Sequence, residues 1–434
     1  MAKPTGRVCL VSGGTGGHLM PALVLARSMQ EAGHEPLLVT EGRDVERELV
    51  RRELPDITSV EVPRSGSSLG GLPVWLIRAT LTARRHLRKH QIKGVISTGG
   101  RASVPVALAA RSLRIPLFLL EQNAVTGRAN RWLLPLAKRM YVGLPGAGER
   151  HVRGKFTGTP LRSGFGHVDK GEARRSLGLQ ADVPVVLITG GSQGARVLNE
   201  VVPAALQRVQ SKMQVMHLSG LGNDAAVRHR YADVARDNVA YVRAVAADMD
   251  RLFAAADLVI CRGGGTTVAE LMAVGRAAII IPYPHHKDRQ QLHNARVLES
   301  VGAALIQEER DLDQDALTQL VESLLSAPDR LRTMADQGRK LRRLDAVDAI
   351  LEDVQQVLGG EHPVASSDEA NSSRANSSRT NSSRANPSRA NSSLANSSLA
   401  RADVGSVNVT EANLAGPRPV GGERGAAPRR GGVA

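Results

Sequence analysis

The sequence predicts an α/β protein with two doubly wound, parallel-sheet domains that face each other across a cleft, followed by a disordered C-terminal tail. Three observations predict this architecture. A strand, a glycine-rich turn and a helix recur in the same order in two halves of the chain. The composition changes abruptly after residue 360. Finally, 434 residues, of which 42% are apolar, are enough for two or three domains with real cores.

The first half places two glycine-rich turns after apolar strands. In chain order we predict a strand at 8–11, a turn at 12–18, a helix at 19–30, a strand at 92–98, a glycine pair at 99–100, a helix at 103–113 and a strand at 116–120. Strands that alternate with helices at this spacing are typical of a parallel sheet.

The second half repeats the same plan. Its segments are a strand at 185–188, a turn at 189–195 followed by a helix, a strand at 257–261, glycines at 263–265, a helix at 267–274 and a strand at 277–282. Two repeats of this pattern predict two sheets. Ligands of such sheets bind at the carboxyl ends of the strands, where the strand order reverses, so the site should lie in the cleft between the domains.

We place the domain boundaries where Gly and Pro interrupt the regular pattern and where the composition changes. We expect a first domain at 1–160, because Gly and Pro interrupt the chain near 157–161, and a second domain at 161–340. A helical pattern then closes the fold at 341–360. Residues 361–434 almost lack large apolar residues, and within them residues 370–401 repeat Ala-Asn-Ser-Ser-Arg with variants. Such a segment cannot bury enough surface to offset its ordering entropy, so we predict that it is a disordered, low-complexity tail.

The glycine turns predict a phosphate ligand. Glycines after a strand let backbone N–H groups approach a phosphate, and the next helix adds its positive end. Four such turns suggest a diphosphate. The first turn lacks the G-x-G-x-x-G pattern and the chain has no Walker A loop, which disfavours dehydrogenase and ATPase functions. His18, where the first turn becomes a helix, is a candidate general base whose pKa the helix dipole should lower.

Neither a metal nor a cofactor is expected. Two cysteines are too few for a disulfide framework or a Cys-rich zinc site. Asp248 and Asp250 resemble a metal-binding pair, but they precede an apolar helix, where acids usually cap the first turn.

The charge distribution points to an anionic surface. The net charge is +15, and residues 62–120 contain ten Lys or Arg and no acid. Within them Trp75, Leu76 and Ile77 are expected to make shallow apolar contacts, while the cations contact lipid phosphates. These cations are Arg78, Arg84, Arg85, Arg88 and Lys89. No apolar run is long enough to span a bilayer, so we expect peripheral attachment. Aromatic residues make up only 2%, which disfavours a base-stacking nucleic-acid surface.

At this point the motifs resemble those of the MurG family of peptidoglycan glycosyltransferases. The matching segments are Gly-Gly-Thr-Gly-Gly-His at 13–18, Glu-Gln-Asn at 121–123, Gly-Thr-Pro-Leu-Arg at 158–162, Gly-Gly-Ser-Gln-Gly-Ala at 190–195, Cys-Arg-Gly-Gly at 261–264, Thr-Val-Ala-Glu at 267–270 and His-Lys-Asp-Arg-Gln-Gln at 286–291. Their order and spacing make the resemblance specific over residues 7 to about 355.

The resemblance implies a GT-B fold, two Rossmann-like domains with the donor in the cleft. It implies an inverting, metal-independent hexosyltransferase of peptidoglycan synthesis. This enzyme moves N-acetylglucosamine from UDP-N-acetylglucosamine to the C4 hydroxyl of the muramoyl sugar of lipid I, forming lipid II. It implies a peripheral enzyme at the cytoplasmic face of the cell membrane. The expected partners besides the two substrates are an anionic membrane surface but not a nucleic acid.

The resemblance also implies roles for individual residues. His18 is the candidate base; Arg162 and Ser192 face the donor phosphates; Glu270 accepts from the ribose hydroxyls; the Ala246 backbone reads uracil; and Gln290 and Gln291 bind sugar hydroxyls. The cleft and nucleotide positions implied in addition are Thr15, Gly16, Gly17, Asn123, Gly265, Thr266, Thr267, Val268 and Ala269.

Two positions differ from the motifs of this family, and two other functions remain as alternatives. Leu120 stands where the family often has His, and Arg101 stands where it often has Tyr, so no role passes to these positions. A UDP-N-acetylglucosamine 2-epimerase has a similar paired fold but does not need the basic, apolar patch. A nucleic-acid-binding protein would explain the net charge but not the four glycine turns.

Overall fold

The computed structural model describes residues 6–13, 16–64, 71–146, 151–231, 239–286 and 288–359. All of them lie within one compact unit that spans residues 1–365. The predicted tail at 361–434 and Thr15 lie outside the described residues.

In the described residues, the first sheet has seven parallel strands in the order β3-β2-β1-β4-β5-β6-β7. They are β1 (Arg7–Val11), β2 (Leu37–Thr40), β3 (Thr58–Glu61), β4 (Ile92–Ser97), β5 (Leu117–Glu121), β6 (Arg139–Val142) and β7 (Gly154–Phe156). Strands β2 and β5 are buried throughout. The central strands therefore read as nearly continuous apolar runs, as parallel strands covered on both faces do.

Helices cover both faces of this sheet. They are α1 (Gly16–Glu31), α2 (Asp44–Glu53), α3 (Leu72–Lys89), α4 (Ser103–Ser112) and α5 (Arg128–Leu133). Residues of α1 and α2 pack into the core on one face, and residues of α3, α4 and α5 pack into the core on the other.

The second sheet, as far as the structure describes the chain, has six parallel strands in the order β10-β9-β8-β11-β12-β13. Its strands are β8 (Val185–Thr189), β9 (Gln214–Leu218), β10 (Val239–Arg243), β11 (Leu258–Cys261), β12 (Ala277–Ile280) and β13 (Ala304–Ile306). Its helices are α6 (Lys170–Ser176), α7 (Arg196–Leu206), α8 (Asp224–Arg230), α9 (Met249–Ala255), α10 (Gly265–Val274), α11 (Gln290–Glu299), α12 (Gln314–Leu325) and α13 (Pro328–Arg339).

The last described helix, α14 (Ala346–Gly359), packs against the first sheet rather than the second. Ile350 and Val354 are buried beside residues of α1 and β4. Asp353 accepts a hydrogen bond from the Tyr141 hydroxyl at 2.9 Å and pairs with the Lys155 ammonium at 3.1 Å. The chain therefore returns to its first sheet after completing the second.

Both sheets reverse their strand order next to their first strand, so the predicted two-domain α/β class is confirmed. In the first sheet the reversal lies between β1 and β4, whose last residues Val11 and Ser97 are paired. The two glycine turns meet there. Gly100 has φ +89°, and a Cβ on it would lie 2.0 Å from the Gly13 carbonyl oxygen. Only glycine fits this crossing.

The structure alters the predicted surface of α3. Trp75 is only partly exposed, and its indole N–H donates to the Pro63 carbonyl at 2.7 Å. Leu76 is also partly buried. These two residues are therefore less exposed than the prediction assumed. Ile77 is 61% exposed, and Val74 and Leu81 on the same helix are 59% and 61% exposed.

Among the described residues, no helix combines the length and the hydrophobicity that crossing a bilayer would require.

Candidate active site

A cavity of about 450 Å³ lies between the carboxyl edges of the two sheets. Residues of both domains line it, as the strand topology predicts. Twelve positions singled out from the sequence meet there: Gly17, His18, Asn123, Arg162, Ser192, Ala246, Gly265, Thr266, Thr267, Glu270, Gln290 and Gln291. The cleft therefore brings together residues that lie up to 274 positions apart in the sequence.

Three other predicted positions have different surroundings. Gly16 is the first residue of α1, where the sequence had placed a turn. Val268 and Ala269 belong to the hydrophobic core of the second domain. Because those two side chains are buried, only their backbone atoms remain for a ligand.

The N-terminus of α10 opens onto the cavity. The helix begins at Gly265, two residues earlier than predicted, and its first turn carries no acid. Its free N–H groups and its dipole therefore favour an anion. The approach of the two domains is close here, since a Cβ on Gly265 would lie 2.4 Å from the Gln122 carbonyl oxygen.

Glu270 is a buried carboxyl one turn into the same helix. It is 9% exposed, and burial raises its pKa from 4.5 to about 7, while the positive charge of Arg162 opposes the rise. Arg162 itself donates to the Ala247 carbonyl at 2.9 Å. The second domain thus presents a helix N-terminus, a guanidinium and a poorly solvated carboxyl to the same cavity.

His18 lies in the first turn of α1 against the second glycine turn. A Cβ on Gly99, whose φ is +104°, would lie 2.8 Å from His18 Cδ2. The pKa of His18 is lowered chiefly by burial, and the charge of Glu121 opposes this shift. The pKa of His18 is thus lowered, as expected from the sequence, and burial is a cause that the sequence did not indicate. Its Nδ1 atom is buried without a hydrogen-bond partner among the described residues.

Glu121 organises the loop after β5, which reaches the cavity through Gln122 and Asn123. Its Oε1 atom accepts from the backbone N–H and the side-chain amide of Asn123, both at 3.0 Å. Its Oε2 atom accepts from the Gly127 N–H at 2.8 Å and the Asn130 amide at 2.9 Å. With four donors bound, this carboxylate shapes the loop after β5.

Gln291 is oriented by backbone groups. Its Oε1 atom accepts from the Tyr283 N–H at 2.9 Å and from the Gly263 N–H at 3.2 Å. Because the oxygen is occupied in this way, the side-chain NH₂ group is the part left to donate to a ligand.

Sequence reasoning missed several residues that line the cavity. They are Met20, Leu49, Arg52, Gln122, Arg262 and Asn294. A signal existed for Asn294, which lies four residues after Gln290 and hence on the same face of α11. Leu49 and Arg52 come from α2, and no local pattern indicates that this helix reaches the cleft.

Asp248 and Asp250 remain at the start of α9, as expected. Asp248 occupies the position before the first turn, but its side chain makes no capping hydrogen bond. In the described part of the chain, no group of three or more His, Cys, Asp or Glu side chains is arranged to hold a metal ion.

Comparison with known proteins identifies both domains. The glycosyltransferase family 28 N-terminal domain matches residues 8–142, and the C-terminal domain of this family matches residues 185–350. A UDP-N-acetylglucosamine–N-acetylmuramyl-(pentapeptide) pyrophosphoryl-undecaprenol N-acetylglucosamine transferase from Halothermothrix orenii is 36% identical over 351 residues, which are 77% of this chain and 94% of that protein. The protein of the same name from Nitrosococcus oceani is 37% identical over 369 residues, covering 82% of this chain and 99% of that protein.

Solved structures agree with these matches. The crystal structure of Acinetobacter baumannii MurG aligns with a TM-score of 0.68 at 30% identity and covers 81% of this chain and 99% of that one. A candidate UDP-N-acetylglucosamine 2-epimerase from Listeria monocytogenes aligns with a TM-score of 0.60 at 13% identity, covering 82% and 97%, a likeness that shows the fold alone. The chain therefore belongs to glycosyltransferase family 28 and, within it, to the MurG family of N-acetylglucosamine transferases.

Proposed function

We propose that this protein transfers N-acetylglucosamine from UDP-N-acetylglucosamine to the C4 hydroxyl of the muramoyl sugar of lipid I, which yields lipid II for peptidoglycan. The observation that carries this function is the cleft, where an acid-free helix N-terminus, Arg162 and Glu270 face His18 across the two domains of a MurG-family chain. The product is a lipid-linked disaccharide, and UDP leaves.

The second domain supplies the proposed donor pocket. The uracil lies against the backbone around Ala246, and the ribose hydroxyls donate to Glu270. The diphosphate lies at the N-terminus of α10, with Arg162 and Ser192 beside it. The N-acetylglucosamine then reaches Gln290 and Gln291, of which Gln291 has its NH₂ group free to donate.

The proposed transfer is a single displacement at the anomeric carbon. The acceptor O4 forms a bond to this carbon, and the bond to the β-phosphate oxygen breaks, so the electron pair leaves with UDP. His18 takes the O4 proton. Because its Nδ1 atom is buried, we assign Nε2 as the accepting atom. The lowered pKa keeps the imidazole neutral at pH 7, as a base requires.

The charge on the departing UDP is met by protein groups. Backbone N–H groups at a helix end and a guanidinium are preorganised donors, and such groups stabilise charge that develops in the transition state. No metal is needed in this scheme, because α10 and Arg162 supply the positive potential.

The acceptor is a membrane lipid, and we propose that α3 docks the enzyme on the anionic, cytoplasmic surface of the membrane. One face of α3 packs inward through Ala79, Ala83 and Leu87. The exposed residues of the opposite face, termed the α3 stripe, are Val74, Ile77, Arg78, Leu81, Arg85 and Arg88. Apolar residues beside cations suit a surface with buried acyl chains and exposed phosphates.

One experiment separates the candidate functions. The purified chain is incubated with UDP-N-acetylglucosamine and a lipid I analogue, and the products are identified by mass spectrometry. A disaccharide-lipid together with UDP supports the transferase. Free N-acetylmannosamine would instead indicate an epimerase, and neither product together with tight binding of nucleic acid would contradict both enzyme functions.

A further inference from the structure

Arg52 places a guanidinium on the first-domain wall of the cleft. It lies in the last turn of α2, lines the cavity and has a side chain that is 47% exposed. Its partner is Glu53, whose carboxylate lies 3.0 Å from Arg52 and 3.9 Å from a second guanidinium, that of Arg27. Because two cations share one carboxylate, a positive charge remains at this wall. The other arginines that line the cavity in the described residues, Arg162 and Arg262, belong to the second domain.

Two apolar side chains line the same wall. Leu49 precedes Arg52 by three residues, so the two project from the same face of α2. Met20 comes from α1, two residues after His18, and α1 packs against α2. Leu49 and Met20 are partly buried against the first-domain core. The wall therefore combines an adaptable apolar surface with one cation, and it adjoins the helix that carries the proposed base.

The first sheet separates this wall from the proposed membrane surface. Helices α1 and α2 cover one face of the sheet, whereas α3, which carries the α3 stripe, covers the other. The acceptor of the proposed function has two arms, a pyrophosphoryl lipid and a peptide, and the names of the relatives specify both. The lipid arm has to run towards the membrane and hence towards α3. The wall formed by α1 and α2 is left for the peptide arm.

The chemistry of the muramoyl sugar agrees with this arrangement. The pyrophosphate is attached at C1, across the ring from the C4 hydroxyl that receives the new sugar. The peptide is attached through the lactyl ether at C3, beside C4, so it starts close to His18. A peptide that is linked through its amino end terminates in a free carboxylate. An extended pentapeptide spans about 17 Å, more than the width of a cavity of about 450 Å³, so this carboxylate can reach Arg52.

We propose that Met20, Leu49 and Arg52 form a subsite for the peptide of the acceptor. In it the Arg52 guanidinium binds a peptide carboxylate, and the two apolar side chains contact the side chains of the peptide. This inference rests on the proposed function, because it concerns one part of that acceptor. Pairs of Arg with carboxylate are charge-assisted and directional, and they gain strength where a cleft partly excludes water. Arg52 touches the acceptor in this subsite and does not contact the donor.

The test compares two neighbouring arginines of α2. Arg52→Gln removes the cation of the subsite. Arg51→Gln is the matched control, because Arg51 is 72% exposed, pairs with Glu48 at 2.8 Å and does not line the cavity. Three water-soluble lipid I analogues serve as acceptors: one with the pentapeptide, one whose terminal carboxylate is amidated, and one without a peptide. The peptide preference of a protein is its KM for the peptide-free analogue divided by its KM for the peptide-bearing analogue.

Only Arg52→Gln should lose the peptide preference. The wild type and Arg51→Gln should prefer the peptide-bearing analogue about tenfold, as expected for one partly exposed, charge-assisted hydrogen bond with apolar contacts. In Arg52→Gln the preference should fall to about twofold. Amidation should raise the acceptor KM of the wild type about fivefold and leave that of Arg52→Gln nearly unchanged, because the two changes remove the same contact. A wild type without any peptide preference would overturn the proposal.

Other contacts of Arg52 would give different results, and each of them would also overturn the proposal. If Arg52 binds the pyrophosphate of the acceptor, Arg52→Gln raises the KM of all three analogues by the same factor and keeps the peptide preference. If Arg52 contacts the donor, the KM for UDP-N-acetylglucosamine and the calorimetric Kd of UDP rise in Arg52→Gln but not in Arg51→Gln.

Binding of a soluble muramoyl pentapeptide separates this proposal from the proposed function. If the wild type converts none of the analogues, the proposed function is wrong. Fluorescence anisotropy of a labelled muramoyl pentapeptide with the UDP-saturated proteins still tests the subsite, because it needs neither lipid nor turnover. Binding about fivefold weaker in Arg52→Gln than in Arg51→Gln would support the subsite. Equal affinities of the two variants, or no binding by the wild type, would overturn it.

Discussion

Replacing Glu270 by Gln should stabilise the unliganded protein at high pH and weaken donor recognition at the same time. The folded pKa of about 7 exceeds the ordinary 4.5, so the fold favours the protonated carboxyl. This contribution is complete below pH 4.5 and is lost as the pH rises to about 7. At about 1.4 kcal/mol per pH unit, the wild type loses about 3 kcal/mol over this window. The Glu270→Gln variant loses none of this free energy, because its amide does not titrate.

The assay is thermal unfolding of both proteins without ligand between pH 5 and pH 8.5. For a folded part of this size, about 3 kcal/mol corresponds to a Tm difference of about 4 °C. The Tm advantage of Glu270→Gln should therefore grow by about this amount between the two ends of the range. An exposed residue of α11, Glu299, provides the control, and Glu299→Gln should show no comparable growth.

Donor kinetics complete the test. An amide cannot accept one ribose hydroxyl on each of two oxygens as a carboxylate does, so a loss of about 1–3 kcal/mol predicts a donor KM raised roughly five- to 150-fold. A variant that is more stable at pH 8.5 yet binds donor less well is not simply damaged. A Tm difference that stays constant with pH would refute the burial argument, and an unchanged donor KM would remove Glu270 from the pocket.

Four further outcomes are expected. His18→Gln should lower kcat with little change in donor KM. It should also abolish the acid-side fall in kcat that we expect for the wild type at a pH below the ordinary imidazole pKa of 6.5, because burial lowers the pKa of His18; an acid limb that persists in the variant would exclude His18 as the base. Turnover should continue in excess EDTA, whereas a loss that Mg²⁺ reverses would require a metal. Changing Arg78, Arg85 and Arg88 to Gln should weaken binding to anionic vesicles about tenfold, as about 0.5 M salt should for the wild type, without altering turnover of a water-soluble acceptor; equal vesicle binding would place the docking surface elsewhere. Deleting residues 361–434 should leave Tm and turnover intact, and a clearly lower Tm would show that they pack on the fold.

The surface of α3 illustrates where sequence reasoning reached its limit. The basic, acid-free composition of residues 62–120 is visible in the sequence, and it led to Trp75 and Leu76 as apolar anchors. The structure instead directs the Trp75 indole to the Pro63 carbonyl and exposes Val74 and Leu81. Composition identifies a candidate surface, but only packing against the neighbouring sheet decides which face of a helix reaches solvent.

The sequence by itself determined the two doubly wound domains and the place of the cleft. Apolar strands followed by glycine turns, repeated in both halves, require parallel sheets, and parallel strands end at a common edge. The residues that follow β1, β4, β8 and β11 must therefore gather at those edges. This reasoning is local, so it could be carried out along the chain without knowing any distant contact.

Only the tertiary structure decided how the two edges face each other and what that does to individual groups. The pKa of Glu270 depends on how completely other segments bury it, and burial is the sum of many distant contacts. The amide of Asn294 meets Ala124, 170 residues away, and no pattern near either residue indicates this pairing. Hydrogen bonds and desolvation act over a few ångströms in space, whereas sequence patterns report only neighbours along the chain, and for that reason the chemistry of the cleft becomes readable only once the two domains are placed together.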